Sequence, residues 1–266
     1  MPQHGRAILR LVLPVRTISH FWRTDFLANP AHLEQTIAAP IEFTGVGLHS
    51  GAPVTMRLLP APAGSGIVFR RTDLDNFEIP ATGRNVAKVS YATSLMRQGV
   101  LISTTEHLLS ALIGMGVDNV IVELDNLELP ILDGSALPYV QAFLDAGIRT
   151  QRRRRETIRI LHDVEVREGN KFIGVYPGSG YSIQYAIDFP APIGQQRAYV
   201  DLAAETYGTA IAPARTFGYK TDEKKLRDMA SSAAQARREP LFWGQRARRT
   251  APCAFPTSMC ATKYWI

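Results

Sequence analysis

Apolar and polar side chains alternate with a period of two in several short stretches bounded by Gly or Pro: IEFTGVGLHSG from Ile41, VTMRLLPA from Val54 and GIVFRR from Gly66. Such alternation predicts half-buried strands. Arg84 to Met96 and Gly99 to Ile102 continue the strand character. The period then changes. Leu108, Leu109, Leu112 and Ile113 recur at helical spacing, Gly114 and Gly116 close the run, and Ser103 stands three residues before Glu106. A helix beginning near Thr104 is predicted, with Glu106 and His107 in its first turn. Asn119 to Leu124 (NVIVEL) is a β-branched strand, Asp133-Gly134-Ser135 a turn, and Pro138 to Ala146 a second helix.

The same order of strands begins again after the basic run Arg152 to Arg155. Thr157 to Glu165, Lys171 to Pro177 and Tyr181 to Phe189 alternate as strands do, and Asp222 to Met229 begins a helix. The fold class predicted is α+β, with helices covering one face of mostly antiparallel sheets. Domain organisation follows from these breaks: residues 1–34 as an extension outside the fold, 35–150 as a first domain, 151–155 as a solvated basic linker, 156–229 as a shortened second domain, and 230–266 as a tail without order. No internal duplication is visible in the sequence itself.

Composition changes this picture little. At 266 residues and 45% hydrophobic content the chain is long enough for one or two cores. No run of 18 or more apolar residues occurs, so no membrane span is predicted. The net charge of +6 would suggest an anionic partner. However, the excess sits in the two ends, residues 35–229 are near neutral, and no interleaving of basic and aromatic residues marks a nucleic-acid surface. Cys253 and Cys260 are too few for a disulfide framework and match no zinc spacing. His162, in a predicted strand without a nearby partner, reads as a structural residue.

Glu106-His107 taken alone admits a plain reading, a capping-box glutamate beside a packed histidine. The surrounding motifs alter it. TGVGLHSG from Thr44, TEHLLSAL from Thr105, GVDN from Gly116, LPILDGSA from Leu129 and ARTFG from Ala214 occur in an order and spacing that resembles one family, the UDP-3-O-acyl-N-acetylglucosamine deacetylases of lipid A biosynthesis. The resemblance spans Thr36 to Met229. It implies a cytoplasmic, monomeric zinc amidohydrolase acting on a UDP-linked acylated N-acetylglucosamine, built from two tandem α+β domains with their helices packed between the sheets. Hydrolysis of an unactivated amide needs a strong nucleophile at neutral pH, which Zn2+ supplies by lowering the pKa of a bound water. The resemblance makes His107 a zinc ligand, Glu106 the general base and Thr216 a stabiliser of the oxyanion. Phe189 and Phe217 become candidates for substrate contact, with core packing an equal alternative for each. His49 and Asp133 belong to the motifs but read as turn-fixing positions. Arg197 to Ala212 falls where the family's acyl-chain passage would lie.

The family's other two zinc ligands come from a His-Lys-Ile/Val-Leu-Asp motif that this chain lacks; no histidine follows His162. Read one base out of frame, the codons possible for Ser258 to Ile266 force Val, Leu and Asp and allow Arg, His and Lys, so that the shifted frame can read Val-Arg-His-Lys-Ile/Val-Leu-Asp. The tail after Met229 therefore reads as a frameshifted copy of the missing motif. With one ligand of three in the chain as written, an inactive remnant or a non-catalytic sugar-nucleotide-binding protein is the alternative expectation.

Overall fold

The computed structural model describes residues 6–10, 32–87, 91–178, 180–202 and 206–219. The architecture is α+β with mostly antiparallel sheets and, among the described residues, two α-helices. The strands in chain order are β1 (Arg6–Arg10), β2 (Leu33–Ile37), β3 (Ile41–Val46), β4 (Pro53–Pro60), β5 (Ile67–Arg71), β6 (Phe77–Pro80), β7 (Leu95–Arg97), β8 (Val100–Ile102) and β9 (Val120–Leu124). They continue with β10 (Ile148–Arg154), β11 (Val164–Glu168), β12 (Lys171–Val175), β13 (Ser182–Asp188) and β14 (Gln195–Asp201), and the helices are α1 (Glu106–Gly114) and α2 (Leu137–Ala146).

A first five-stranded sheet runs in the order β3-β4-β9-β5-β6. β9 lies between two sequence neighbours, antiparallel to β4 and parallel to β5. Because successive side chains on a strand point to opposite faces, one row crosses this sheet as Leu58, Val122, Phe69 and Ile79, all on the covered face and all fully buried. Leu108 and Leu112 of α1 and Tyr139 and Phe143 of α2 close over it. Tyr139 meets Phe43 edge to face at 5.0 Å. Each large side chain so buried contributes about 1.5–3 kcal/mol, which makes this row and its helices the core of the molecule.

A second five-stranded sheet has the order β11-β12-β1-β13-β14. Its middle strand departs from the sequence expectation, since Arg6–Arg10 belong to the sheet rather than to an extension outside the fold. The physical reason lies in the backbone: β12 and β13 are not bonded to each other, and a strand between them satisfies both facing edges.

The basic run also differs from expectation. Arg152 to Arg154 continue β10, which pairs antiparallel with β2, and carboxylates fix the neighbouring guanidinium groups. Arg153 lies 3.2 Å from Glu34 and 2.7 Å from Glu156, and Arg155 holds Asp118 through two hydrogen bonds of 2.8 Å. β14 is a strand that alternation had not marked, whereas only the last two residues of the predicted strand at Thr157 to Glu165 are extended in pairing. Residues 220–266, including the predicted helix at Asp222 and the frameshifted motif, lie outside the described residues. None of the described helices is long and apolar enough to cross a membrane.

Candidate active site

α1 begins at Glu106, after Thr104 in a left-handed conformation with φ of +60°. That conformation is costly for a threonine and persists only when its surroundings hold it. Here they do. The Thr104 hydroxyl donates to Glu128 Oε1 at 2.9 Å, and Glu128 is itself buried, accepting the backbone N–H groups of His49 at 2.9 Å and Ser50 at 2.7 Å. One buried carboxylate thus ties the TGVGLHSG turn to the segment that starts the helix. Gly47 is required in that turn because a Cβ there would collide with the Glu128 carboxylate and the Ser50 hydroxyl.

The predicted capping box does not form. Ser103 pairs instead with the Ser94 hydroxyl at 3.0 Å, while Glu106 Oε2 accepts the backbone N–H of Thr93 at 2.9 Å. Glu106 is thereby fixed from outside its own helix, with its charge at the favourable N-terminal end of the helix dipole. His107 is half-buried beside it. Burial pushes the imidazole below its ordinary pKa, against the opposing pull of Glu106 and Asp133. The ring is accordingly neutral near pH 7, the form that carries a free lone pair.

Asp133 follows Leu132, a second non-glycine residue with left-handed φ, at +52°. Its Oδ1 accepts from the Ser135 N–H at 3.0 Å and the Ser135 hydroxyl at 2.7 Å, forming the turn that starts α2. Its Oδ2 faces Arg215 at 3.2 Å. Next to Arg215, the Thr216 N–H donates to Gly134 O at 2.8 Å, and Ala136 N–H donates to Ala212 O at 3.0 Å. The ARTFG motif is therefore laid along the LDGS motif. Tyr207 anchors this segment: its ring lies against Gly114, where a Cβ would not fit, and its hydroxyl pairs with Ser110 at 2.8 Å. The phenol of Tyr139 is raised in pKa by burial first and then by Asp133 and Glu106, which places it in the same electrostatic neighbourhood as His107.

Four of the motifs singled out in the sequence thus converge. Thr216 is exposed on the surface of this cluster, and Glu106 and His107 lie half-buried within it. Phe189 and Phe217 are also brought together, ring to ring and edge to face at 5.4 Å, with Phe217 packed in turn against Tyr219. Tyr219 donates its hydroxyl proton to Pro190 O at 2.8 Å, so the aromatic group joins the ARTFG segment to the turn after β13. Of the stretch from Arg197 to Ala212, residues 197–201 belong to β14 and Tyr207–Ile211 form a helical turn, and Tyr207 and Ala212 are core residues. Sequence reasoning missed Glu128, Thr104 and Arg215 as the groups that hold the cluster. Arg215 stood inside a quoted motif, but nothing local marks Glu128 or Thr104.

A model of the UDP-3-O-acyl N-acetylglycosamine deacetylase family, LpxC, matches residues 34–239. The chain belongs to the LpxC family. The match runs past Met229 as far as Glu239, further than the motifs alone carried it. A UDP-3-O-acyl-N-acetylglucosamine deacetylase of Solibacter usitatus (strain Ellin6076) is 53% identical over 196 residues, covering 74% of this chain and 66% of the relative. Proteins of the same name from Marinobacter nauticus (strain ATCC 700491 / DSM 11845 / VT8) and Xanthomonas oryzae pv. oryzae (strain PXO99A) are 44% and 45% identical, again with 66% of each relative covered. The chain spans just under two thirds of the length of these relatives.

The LpxC family implies a zinc ion. His107 offers a neutral imidazole. Among the described residues, though, no three His, Cys, Asp or Glu side chains gather as a metal site would need. Catalytic zinc is held by about three protein donors, so the described residues do not complete such a site.

Proposed function

We propose that this chain is a deacetylase of the LpxC type, a hydrolase that removes the acetyl group from a UDP-linked 3-O-acylated N-acetylglucosamine in lipid A biosynthesis. In this reading it works in the cytoplasm as a monomer, and is built from two tandem α+β domains of which the second is incomplete among the described residues. The observation that supports it is the convergence of Glu106, His107, Asp133 and Thr216 at one place, from motifs far apart in the chain.

Amide hydrolysis needs a proton taken from the attacking water and a donor for the oxyanion that forms. Glu106, held by the Thr93 N–H through one oxygen, takes the proton. Thr216, set by its backbone bond to Gly134, presents its hydroxyl to the oxyanion. Asp133 orients Arg215, and the Phe189–Phe217 pair offers an apolar edge to the nucleotide or acyl-sugar part of the substrate. Zn2+, when bound, would supply the acidity that makes the water a nucleophile, and His107 is the donor these residues provide for it.

The test is acetate release from the UDP-linked substrate by the full chain with added Zn2+. Glu106→Ala is expected to lower turnover by about 10²–10⁴-fold, the usual worth of a placed general base. Equal turnover in the variant would remove Glu106 from the chemistry. A second reading, an inactive remnant or a non-catalytic sugar-nucleotide-binding protein, is favoured by the absence, among the described residues, of any group of three side chains that could hold a metal. Tight binding of the UDP-sugar with no acetate release at any zinc concentration would establish it.

A further inference from the structure

The start of α1 grips Thr93 at both of its backbone groups. The Thr93 carbonyl accepts the Thr105 N–H at 3.1 Å and the Thr105 hydroxyl at 3.0 Å, while its N–H donates to Glu106 Oε2 at 2.9 Å. On the other side of Thr104 the chain is fixed elsewhere: the Ser103 N–H donates to Leu127 O at 2.8 Å, and Ser103 O accepts the Leu129 N–H at 3.1 Å. Thr104 therefore carries the chain from the Leu127–Leu129 segment to Thr93 in a single step. It does so at φ of +60°, a region that glycine occupies freely and a threonine does not. Glu128 stands between the two residues that pin Ser103, and its carboxylate receives the Thr104 hydroxyl at 2.9 Å. With Thr104 at 3% and Glu128 at 1% exposure, neither has bulk solvent as an alternative partner.

We propose that Glu128 is a positioning residue for Glu106 and acts through Thr104, stabilising the left-handed turn that delivers the Glu106 carboxylate to the Thr93 N–H with His107 beside it. Its value to the chemistry rests on Glu106 being the general base proposed above, whereas the geometry exists without turnover. The hydrogen bonds of Glu128 go to the Thr104 hydroxyl and to the backbone N–H groups of His49 and Ser50, so its influence on Glu106 passes along the chain. Because the acceptor is a carboxylate, the bond to Thr104 is charge-assisted and stronger than a neutral one. A simpler role would confine Glu128 to fixing the TGVGLHSG turn through His49 and Ser50. The two roles part at residue 104. A bond that holds a strained conformation becomes dispensable when the residue adopts that conformation freely; a bond that is only one more contact costs the same to lose whatever side chain replaces the threonine.

The experiment compares Thr104→Ala, Thr104→Gly, Glu128→Gln and the double variant Glu128→Gln/Thr104→Gly in the full chain. Hydrogen exchange of the Thr93 amide, followed by NMR, reports whether Glu106 still receives it, and β4 and β9 are the reference for the global fold. Both single changes at 104 remove the hydroxyl, but alanine keeps the Cβ that penalises positive φ and glycine does not. Thr104→Ala and Glu128→Gln are expected to speed Thr93 exchange by about tenfold or more, and Thr104→Gly and the double variant to stay within about threefold of the parent, with β4 and β9 unchanged throughout. In acetate release, kcat is expected to fall in the same two variants and to be restored in the double variant, with KM unchanged. A parent chain without acetate release would remove the deacetylase reading, while the Thr93 amide would still decide the role of Glu128. Equal exchange in Thr104→Ala and Thr104→Gly would overturn the proposal, as would a Glu128→Gln defect that Thr104→Gly leaves in place. Loss of protection in β4 and β9 alongside Thr93 would make Glu128 a support of the whole fold, and would equally overturn it.

Discussion

Two sheets of the same strand layout stand in this molecule under different cover. Across the first, Leu58, Val122, Phe69 and Ile79 form a row under α1 and α2 with no measurable exposure. Across the second, the corresponding register joins Val166 to Ile173 on one side of β1 and brings Tyr185 to the other. These three are 63%, 48% and 42% exposed. Both rows are apolar, and both sit on alternating strands. Among the described residues, what separates them is a second layer: a sheet stabilises a fold only as far as its apolar face is removed from water. Alternation in sequence therefore specifies a strand, while burial depends on residues elsewhere in the chain.

The sharpest way to break this contrast is to excavate the covered row. Phe69→Ala would leave a cavity beneath two helices, and is expected to cost about 3–5 kcal/mol in urea unfolding. Its neighbours Val122 and Ile79 are held by cross-strand pairing and have little freedom to collapse into the space. A cost below about 1 kcal/mol would mean that the first sheet is no better packed than the second.

Much of the first sheet was legible in the sequence because its signals are local. VTMRLLPA, GIVFRR and NVIVEL each carry their own period, and the helices at Glu106 and Pro138 announce themselves by apolar spacing and by Gly or Pro at their ends. The α+β class followed from the same signals. The site was legible only in part. Glu106, His107 and Thr216 are marked by motif, and the structure sets their segments against Asp133. Glu128 escaped notice because its role depends on partners 24 and 78 positions away, which no local window can reveal. β1 escaped for a like reason, since pairing across more than 160 residues leaves no trace in the period of either strand. The basic run is a strand rather than a linker, though Arg152 to Arg154 are exposed as their charge suggested, because the strand that pairs with it and the carboxylates Glu34 and Asp118 lie on distant segments.

That misreading supplies the next test, intermediate in size. Arg155 joins the first sheet's domain to the chain leading toward the second, through two bonds to Asp118 and one of 2.9 Å to Gly116 O. Both side chains of the pair are about a quarter exposed, so solvent screens part of the gain. Arg155→Ala is expected to cost about 1–2 kcal/mol in urea unfolding, and Arg155→Lys to recover little of it, because an ammonium group cannot reproduce the planar fork. Full recovery by lysine would reduce the contact to charge alone.

The smallest effect is expected where the contrast is most instructive. Ile173 points from β12 onto the open face of the second sheet, opposite Val166 and next to β1. Ile173→Thr preserves β-branching, and with it the strand preference of the position, while exchanging a methyl-bearing carbon for a hydroxyl. In a covered row this change would strand a polar group and cost several kcal/mol, because a buried hydroxyl without a partner loses its hydration. On a face already in water the hydroxyl stays solvated, and the change is expected to lie within about 0.5 kcal/mol in urea unfolding. It is also expected to reduce binding of a hydrophobic dye, since the exposed patch loses one of its apolar members. Val122→Thr, the matching change in the first sheet, supplies the control. If Ile173→Thr proved as damaging as Val122→Thr, the second sheet would have to be covered in solution, and the difference between the two sheets would lie in their strands rather than in what lies over them.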